Sequence, residues 1–325
     1  MPIGTDLVLS EKSDPHAIKY DGLRLGRVME EAARRWGSPL ALPLMDLTVE
    51  KEWLVGALGV PQAEIATWHF DGAVPELLPD AAPTPRLKAN NEAIGYIASN
   101  TDLLPCGMSI GPFSLMAKML ADPISPVFLA GTDERDEDVE RLEKTLELGT
   151  RVILHTIEMQ LDAGAQAIVL CEPAANAVYF SPNQLADGAD TFDRYVMALN
   201  GRIRELLRSR GAALIFHDCG ELTEEMVRKF AELEPAMLSL GSSRLLWEDA
   251  RLLPDNIVLF GNLPTKKFYS DEVMPVREVE ALGRDLLTKM QATGHPFILG
   301  SECDVLNVPG SESTIREKVT AFLNL

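Results

Sequence analysis

The stretch that decides the fold reads AALIFHDCG and covers residues 212–220. Its first five residues are apolar and predict a buried strand, and Gly220 closes the stretch as a turn residue. His217 and Cys219 stand two positions apart at the end of the run. An extended backbone therefore places both side chains on the same side. The stretch predicts a strand that ends in two residue types that bind metal ions.

Similar apolar runs alternate with helical patterns along most of the chain. Further strands are predicted at residues 40–44, 103–110, 165–171, 236–240, 257–260 and 297–299. Apolar strands separated by helices are typical of a parallel sheet covered on both faces, so the fold class is α/β. No glycine-rich dinucleotide fingerprint or phosphate loop follows any strand, which favours a closed (β/α)8 TIM barrel over an open sheet.

The length of 325 residues suits one such barrel. We predict a single domain over residues 1–325, preceded by a loose N-terminal extension of about residues 1–20. Among the helices, the pattern predicts one continuous helix over residues 132–163 and another over residues 181–209.

Composition excludes several classes of partner. The chain has 30 Lys and Arg against 49 Asp and Glu, a net charge of −19. Nucleic acids and anionic membrane surfaces both select basic proteins, so neither is expected as a partner. There is no apolar run of the ~18 residues that a membrane span needs, and no secretory signal is visible. We therefore expect a cytoplasmic protein, in which cysteines are thiols or metal ligands.

A second strand end carries another possible metal ligand. Residues 296–303 read PFILGSEC, so that Cys303 follows an apolar strand as Cys219 does. The ends of barrel strands meet at one face, and catalytic zinc has three protein ligands with one position open. We therefore predict that His217, Cys219 and Cys303 bind one zinc ion and act through it. Zinc with two thiolate ligands suits a thiol substrate, which it would hold as the nucleophilic thiolate.

Other residues at strand ends are weaker candidates. Asp46, Glu172, Asn262 and Ser242 are predicted to contact substrate, because the polar residues of a barrel's active site gather at this face. The remaining cysteines, Cys106 and Cys171, are interpreted as small hydrophobic residues of the core.

Several segments together resemble one known superfamily. They are GPFSL at residues 111–115, AGAQAI at 163–168, EPA at 172–174, SP at 181–182, HDCG at 217–220, GNL at 261–263 and the late Cys303. This set resembles the uroporphyrinogen decarboxylase superfamily. The His-x-Cys-Gly segment with the late cysteine resembles, within it, the zinc-dependent methylcobamide:thiol methyltransferases.

The resemblance implies a (β/α)8 barrel with zinc at His217, Cys219 and Cys303. It also implies a methyl transfer between a methylated corrinoid, carried by a partner protein, and a zinc-activated thiol such as coenzyme M. The zinc sites of that family often have an acidic fourth ligand about twenty residues after the His-x-Cys pair. Here residues 239–243 read SLGSS and contain no carboxylate, which leaves water, Glu302 or another acid for this position.

Two alternatives stay open. The decarboxylase branch carries an N-terminal Arg-Gln-Ala-Gly-Arg-Tyr motif that is not found here, although Asp46 is a candidate counterpart of its catalytic aspartate. A porphyrinogen with many carboxylates suits a basic cleft, whereas this chain is strongly acidic. The other alternative is an accessory protein that binds a corrinoid without transferring a methyl group.

Overall fold

Strands and helices alternate along residues 4–325, the part of the chain that the computed structural model describes. The strands are Leu40–Ala41 (β1), Leu104–Ile110 (β2), Ala167–Cys171 (β3), Ala213–Asp218 (β4), Met237–Leu240 (β5), Val258–Leu263 (β6) and Phe297–Ser301 (β7). The helices are Thr5–Ser10 (α1), Pro15–Ile18 (α2), Gly22–Arg35 (α3), Val49–Ala57 (α4), Pro85–Asn100 (α5), Pro112–Met119 (α6), Ile124–Ala130 (α7), Glu137–Asp162 (α8), Pro182–Ala186 (α9), Ala198–Ser209 (α10), Glu224–Glu232 (α11), Leu246–Asp249 (α12), Val276–Thr293 (α13) and Glu312–Leu323 (α14). A π-helical turn at Asp193–Met197 precedes α10, and a 3₁₀ turn at Thr265–Lys267 follows β6.

All seven strands pair in parallel and in the order of the sequence. The register places Cys171 beside His217, and His217 beside Ser239. Because every strand runs in the same direction, their carboxyl ends form one edge of the sheet. This arrangement confirms the predicted α/β class.

The sheet curls, so that its two outer strands approach each other. Leu40 of β1 and Ile298 of β7 line the same cavity of about 230 Å³, although they belong to opposite ends of the strand order. Beyond the strands, Met45 Sδ lies 3.8 Å from Cys303 Sγ. Within residues 4–325 no ladder joins β1 to β7, and an eighth strand is not seen. The curled sheet is compatible with the predicted (β/α)8 barrel but does not close it.

The alternation of side chains along β3 separates two cores. Ala167, Val169 and Cys171 belong to the core inside the curl of the sheet. Ile168 and Leu170 belong to the larger core between the sheet and the helices. A strand that is buried on both faces explains why its sequence is uniformly apolar.

The N-terminal segment is not a loose extension where the structure describes it. Residues 4–20 contain α1 and α2, and Leu7, Val8 and Leu9 of α1 are buried. Thr5 Oγ1 donates to Leu42 O at 3.1 Å, and Asp6 Oδ2 accepts a hydrogen bond from Asn307 N at 2.8 Å. Helix α1 therefore bridges the segments that follow β1 and β7, and its apolar residues pack in two of the protein's cores. Residues 1–3 of the predicted extension lie outside the described residues.

Two long helices were also predicted with wrong bounds. Helix α8 begins only at Glu137, because the Asp136 carboxylate accepts a hydrogen bond from Val139 N at 2.8 Å and caps its first turn. The second predicted helix is divided, since α9 ends at Ala186 and Gly188 follows with φ of 97°. Nowhere between residues 4 and 325 is there a helix both long and apolar enough to cross a bilayer.

The placement of α1 can be tested by truncating Leu7, which is fully buried in the main core. We expect Leu7→Ala to lower the free energy of unfolding by about 2–5 kcal/mol, because it removes packed apolar surface and leaves a cavity. Leu77→Ala, at a position that is 75% exposed, is the matched control and should change it by less than about 0.5 kcal/mol. Urea unfolding followed by circular dichroism measures both. Equal effects of the two changes would contradict the burial of α1.

Candidate metal centre

Two strand ends bring together the three residues that were predicted to bind metal. His217 lies in β4, Cys219 follows that strand directly, and Cys303 lies two residues after β7. One ligand atom from each of the three lies within 4.8 Å of the others. Such a group of one imidazole and two thiols can hold a metal ion.

The His217 ring is oriented by a neighbour on β5. Its Nδ1 lies 2.9 Å from Ser239 Oγ, while Nε2 is buried and has no hydrogen-bond partner among residues 4–325. Burial lowers the pKa of His217, so the ring is neutral at pH 7 and carries a free lone pair. A buried nitrogen without a partner is rare in folded proteins. This orphaned nitrogen therefore fits a metal ligand whose other ring atom is fixed by Ser239.

Ser239 was not predicted from the sequence as a functional residue. A single serine in an apolar strand carries no recognisable signal. Its role depends on the parallel register that places it beside His217, and that register belongs to the tertiary structure.

The two cysteines perturb each other. A hydrogen bond from Cys219 lowers the pKa of Cys303, and the same bond raises the pKa of Cys219. Both residues are half-buried. Thiolate sulfur with imidazole nitrogen is the donor set of a borderline-soft divalent cation.

A lysine supplies positive charge at this group. Lys266 lies in the turn after β6 and is exposed. Burial alone would lower the pKa of Lys266, but the sulfur of Cys219 and the carboxylate of Glu302 raise it. The ammonium therefore offsets part of the negative charge that the Cys303 thiolate and the Glu302 carboxylate place here.

Glu302, the sequence's candidate for a fourth ligand, is engaged elsewhere. Its Oε2 lies 2.5 Å from Ser242 Oγ, and its Oε1 accepts a hydrogen bond from Lys266 N at 3.3 Å. The carboxylate is nearly buried and ties the end of β7 to the loops after β5 and β6. It is not part of the metal-binding group. Ser242 accordingly contacts Glu302, and its predicted contact with substrate stays a prediction.

The Glu172 carboxylate holds two elements of the fold together. Its carboxylate is fully buried and accepts hydrogen bonds from Phe113 N at 3.1 Å, Ser114 N at 2.8 Å and Asn200 Nδ2 at 3.0 Å. Burial raises the pKa of Glu172, and these donors act in the opposite direction. The residue caps the N-terminus of α6 from the end of β3. A substrate would have to displace these bonds to reach it, so we do not include Glu172 in the proposed substrate site.

The other two candidates also contact neighbouring loops. Asn262 Nδ2 donates to Gly241 O at 2.8 Å and to Arg244 O at 2.9 Å, which holds the loop after β5. Asp46 forms an ion pair with Arg86 Nη2 at 3.0 Å and accepts a hydrogen bond from Thr48 Oγ1 at 2.6 Å. Neither residue belongs to the metal-binding group.

The two remaining cysteines are buried inside the curl of the sheet. Burial raises the pKa of Cys106 to about 12, and it raises the pKa of Cys171 well above its usual range. Both therefore remain protonated thiols at neutral pH. Their position agrees with the interpretation of both as small hydrophobic residues.

The sequence model of the family described as Uroporphyrinogen decarboxylase (URO-D) matches residues 63–322. The chain belongs to the uroporphyrinogen decarboxylase family. The matched region contains all three residues of the metal-binding group, and the predicted resemblance is confirmed.

A solved structure of a methyltransferase from Methanosarcina mazei has a similar fold. The superposition has a TM-score of 0.68 and covers 98% of this chain and 90% of that chain, with 16% sequence identity. At this level of identity the likeness establishes a common fold. The sequence matches none of the curated proteins.

The orienting role of Ser239 can be tested by its replacement with alanine. We expect Ser239→Ala to weaken the binding of Zn²⁺ by about 10–100-fold, because the imidazole loses the bond that directs its second nitrogen. Competition with a chelator of known affinity measures this change. Ser209→Ala, on the exposed end of α10, should leave the affinity unchanged. An unaltered affinity in folded Ser239→Ala protein would show that the serine does not orient the ring.

Proposed function

We propose that this protein is a zinc-dependent methyltransferase that moves a methyl group between a methylated corrinoid on a partner protein and a small thiol. The observation that carries the proposal is the convergence of His217, Cys219 and Cys303, whose ligand atoms lie within 4.8 Å of one another. Membership of the family and the fold in common with a methyltransferase support it.

The donor set favours zinc among divalent metals. One nitrogen and two sulfur ligands are typical of catalytic zinc, which keeps a fourth position for substrate. When bound, zinc lowers the pKa of a coordinated thiol and so keeps it nucleophilic near pH 7. Coenzyme M is one candidate for this thiol, and other small thiols fit the same chemistry.

The chain's own residues prepare this site in three ways. Ser239 holds the His217 ring through Nδ1, which leaves Nε2 to bind a metal ion, and the lowered pKa of His217 favours the unprotonated ring. The hydrogen bond from Cys219 lowers the pKa of Cys303 and so favours its thiolate form. Lys266 offsets the negative charge. These groups need little rearrangement when metal and substrate arrive.

The corrinoid is proposed to arrive on a separate protein. Residues 22–323 are taken up by the curled sheet and by the helices and loops that cover it. We infer that the curled sheet belongs to a (β/α)8 barrel. We also infer that the carrier docks at the carboxyl ends of its strands, beside the half-buried Cys219 and Cys303.

Porphyrinogen decarboxylation fits the site less well. Its substrate carries many carboxylates, which the Cys303 thiolate and the Glu302 carboxylate repel. The residues nearest to the thiolates include one ammonium group, Lys266, and no arginine perturbs the pKa of either cysteine.

Metal analysis and a methyl-transfer assay test the proposal together. Protein purified without chelator should contain about one zinc ion per chain. Cys219→Ser and Cys303→Ser should lose the metal, while Cys106→Ala, a change at a buried cysteine outside the group, should keep it. Incubation with methylcobalamin and coenzyme M should demethylate the corrinoid, as followed by visible absorbance. The two serine variants should be slower by about 100-fold or more, since loss of a ligand should cost at least as much as loss of a residue that supports one.

The same assays separate the alternatives. Zinc-free protein that decarboxylates uroporphyrinogen would overturn the proposal in favour of the decarboxylase. Tight corrinoid binding without demethylation, across a panel of thiols, would overturn it in favour of an accessory protein.

A further inference from the structure

A second cavity of the protein is polar, and none of the three residues of the metal-binding group lines it. It has a volume of about 410 Å³ and adjoins the first turns of α4 and the end of α6. Its lining includes Lys51, Lys118, Arg86, His69, Glu52 and Gln62. Three cationic side chains thus face one carboxylate, in a chain whose net charge is −19. This local excess of positive charge requires a physical explanation.

Lys51 is the central feature of this cavity. Its side chain is only 4% exposed, and its Nζ donates hydrogen bonds to Lys118 O at 2.8 Å and to Ala66 O at 3.2 Å. Both acceptors are neutral carbonyls. Across residues 4–325 no carboxylate lies within ion-pair distance of this ammonium, so its charge is not neutralised. An ammonium has three N–H donors, and two carbonyls leave one for a ligand.

A buried ammonium without an anionic partner is unfavourable. Burial lowers the pKa of Lys51, and the nearby charge of Lys118 lowers it further. An anion bound between the two lysines would supply the partner that Lys51 lacks. It would also reduce the repulsion between the two ammonium groups.

The arginine and the glutamate of the cavity compensate each other. Arg86 Nε lies 3.2 Å from Glu52 Oε2, and Arg86 Nη2 lies 3.0 Å from Asp46 Oδ2. The charge that remains available belongs to Lys51 and Lys118, and Lys118 is exposed at the cavity. The anion would therefore lie on the lysine side, where His69 supplies a further hydrogen-bonding group.

The beginning of α4 contributes to the same region. Thr48 precedes the helix and gives no side-chain cap, and it lines the cavity together with Lys51 of the first turn. The first N–H groups of a helix carry partial positive charge and favour anions. Asp46 Oδ1 already accepts a hydrogen bond from Thr48 N at 3.2 Å at this end of the helix, so the two lysines supply the main attraction for an anion.

We propose that this cavity binds the phosphate group of a small-molecule ligand, with Lys51 and Lys118 as its principal contacts. A phosphate offers several oxygens to donors that converge from different elements, which matches two ammonium groups, an imidazole and an amide. The cavity is larger than a phosphate ion and leaves room for the rest of a phosphate ester. The site is independent of the proposed methyl transfer, because none of its lining residues belongs to the metal-binding group.

Isothermal titration of the full-length protein with inorganic phosphate at pH 7.5 and low ionic strength tests the proposal. We expect saturable binding that Lys51→Met weakens by about tenfold or more, because it removes the buried charge-assisted hydrogen bond. The exposed Lys118→Gln should weaken it severalfold, which keeps the test decisive if Lys51→Met fails to fold. Lys144→Gln, at an exposed lysine paired with Glu140 on α8, is the matched control and should have no effect.

A variant of the proposed metal centre tests whether phosphate binds to a metal ion there and not in the cavity. Cys219→Ser should bind phosphate as the wild type does, so that failure of the zinc hypothesis leaves this result intact. Methyl phosphate and dimethyl phosphate then distinguish two classes of ligand. Tighter binding of methyl phosphate assigns the site to a phosphate monoester. Equal binding of dimethyl phosphate assigns it to a phosphodiester, as in the nucleotide of a corrinoid.

Either of two results would overturn the proposal. One is the absence of saturable binding up to about 10 mM phosphate, a concentration above any dissociation constant that would be useful for such a site. The other is equal affinity in the wild type, in folded Lys51→Met and in Lys118→Gln.

Discussion

The parallel register of the sheet is the constraint on which the candidate site depends. It places His217 beside Ser239, and it brings the end of β4 to the same edge as the end of β7. A shift of one residue in β4 would turn His217 to the opposite face and separate it from both Ser239 and Cys303. The buried, apolar residues of β4, such as Leu214 and Phe216, make such a shift costly because both faces of the strand are packed.

Polar contacts then fix the loops at this edge. Glu172 joins β3 to the start of α6, Asn262 holds the loop after β5, and Glu302 connects the end of β7 to Ser242. These side chains are buried or nearly so, and each bond therefore counts for more than it would in water. The result is a rigid rim around Cys219 and Cys303, which suits a site that must hold three ligand atoms within a short distance of one another.

Cationic side chains lie at both proposed sites, although the net charge of the chain is negative. A net charge of −19 describes a surface that keeps the protein soluble and repels other acidic molecules. Against this background Lys266 lies beside the two cysteines, and Lys51 lies with Lys118 at the second cavity. Short-range contacts dominate at Lys51, because its burial reduces screening by solvent. The overall charge predicts unsuitable partners, and the local charge indicates which small ligands fit.

The sequence by itself determined the class of fold and the three residues of the candidate metal centre. Apolar periodicity is local, and His217, Cys219 and Cys303 each follow a run that is recognisable without a structure. The tertiary structure alone decided the rest. Ser239 gains its role from strand register, Glu172 becomes a cap because α6 starts beside it, and Leu7 is buried because α1 packs against the main core. Each of these depends on residues that are distant in the chain and brought together by packing, which no local pattern records.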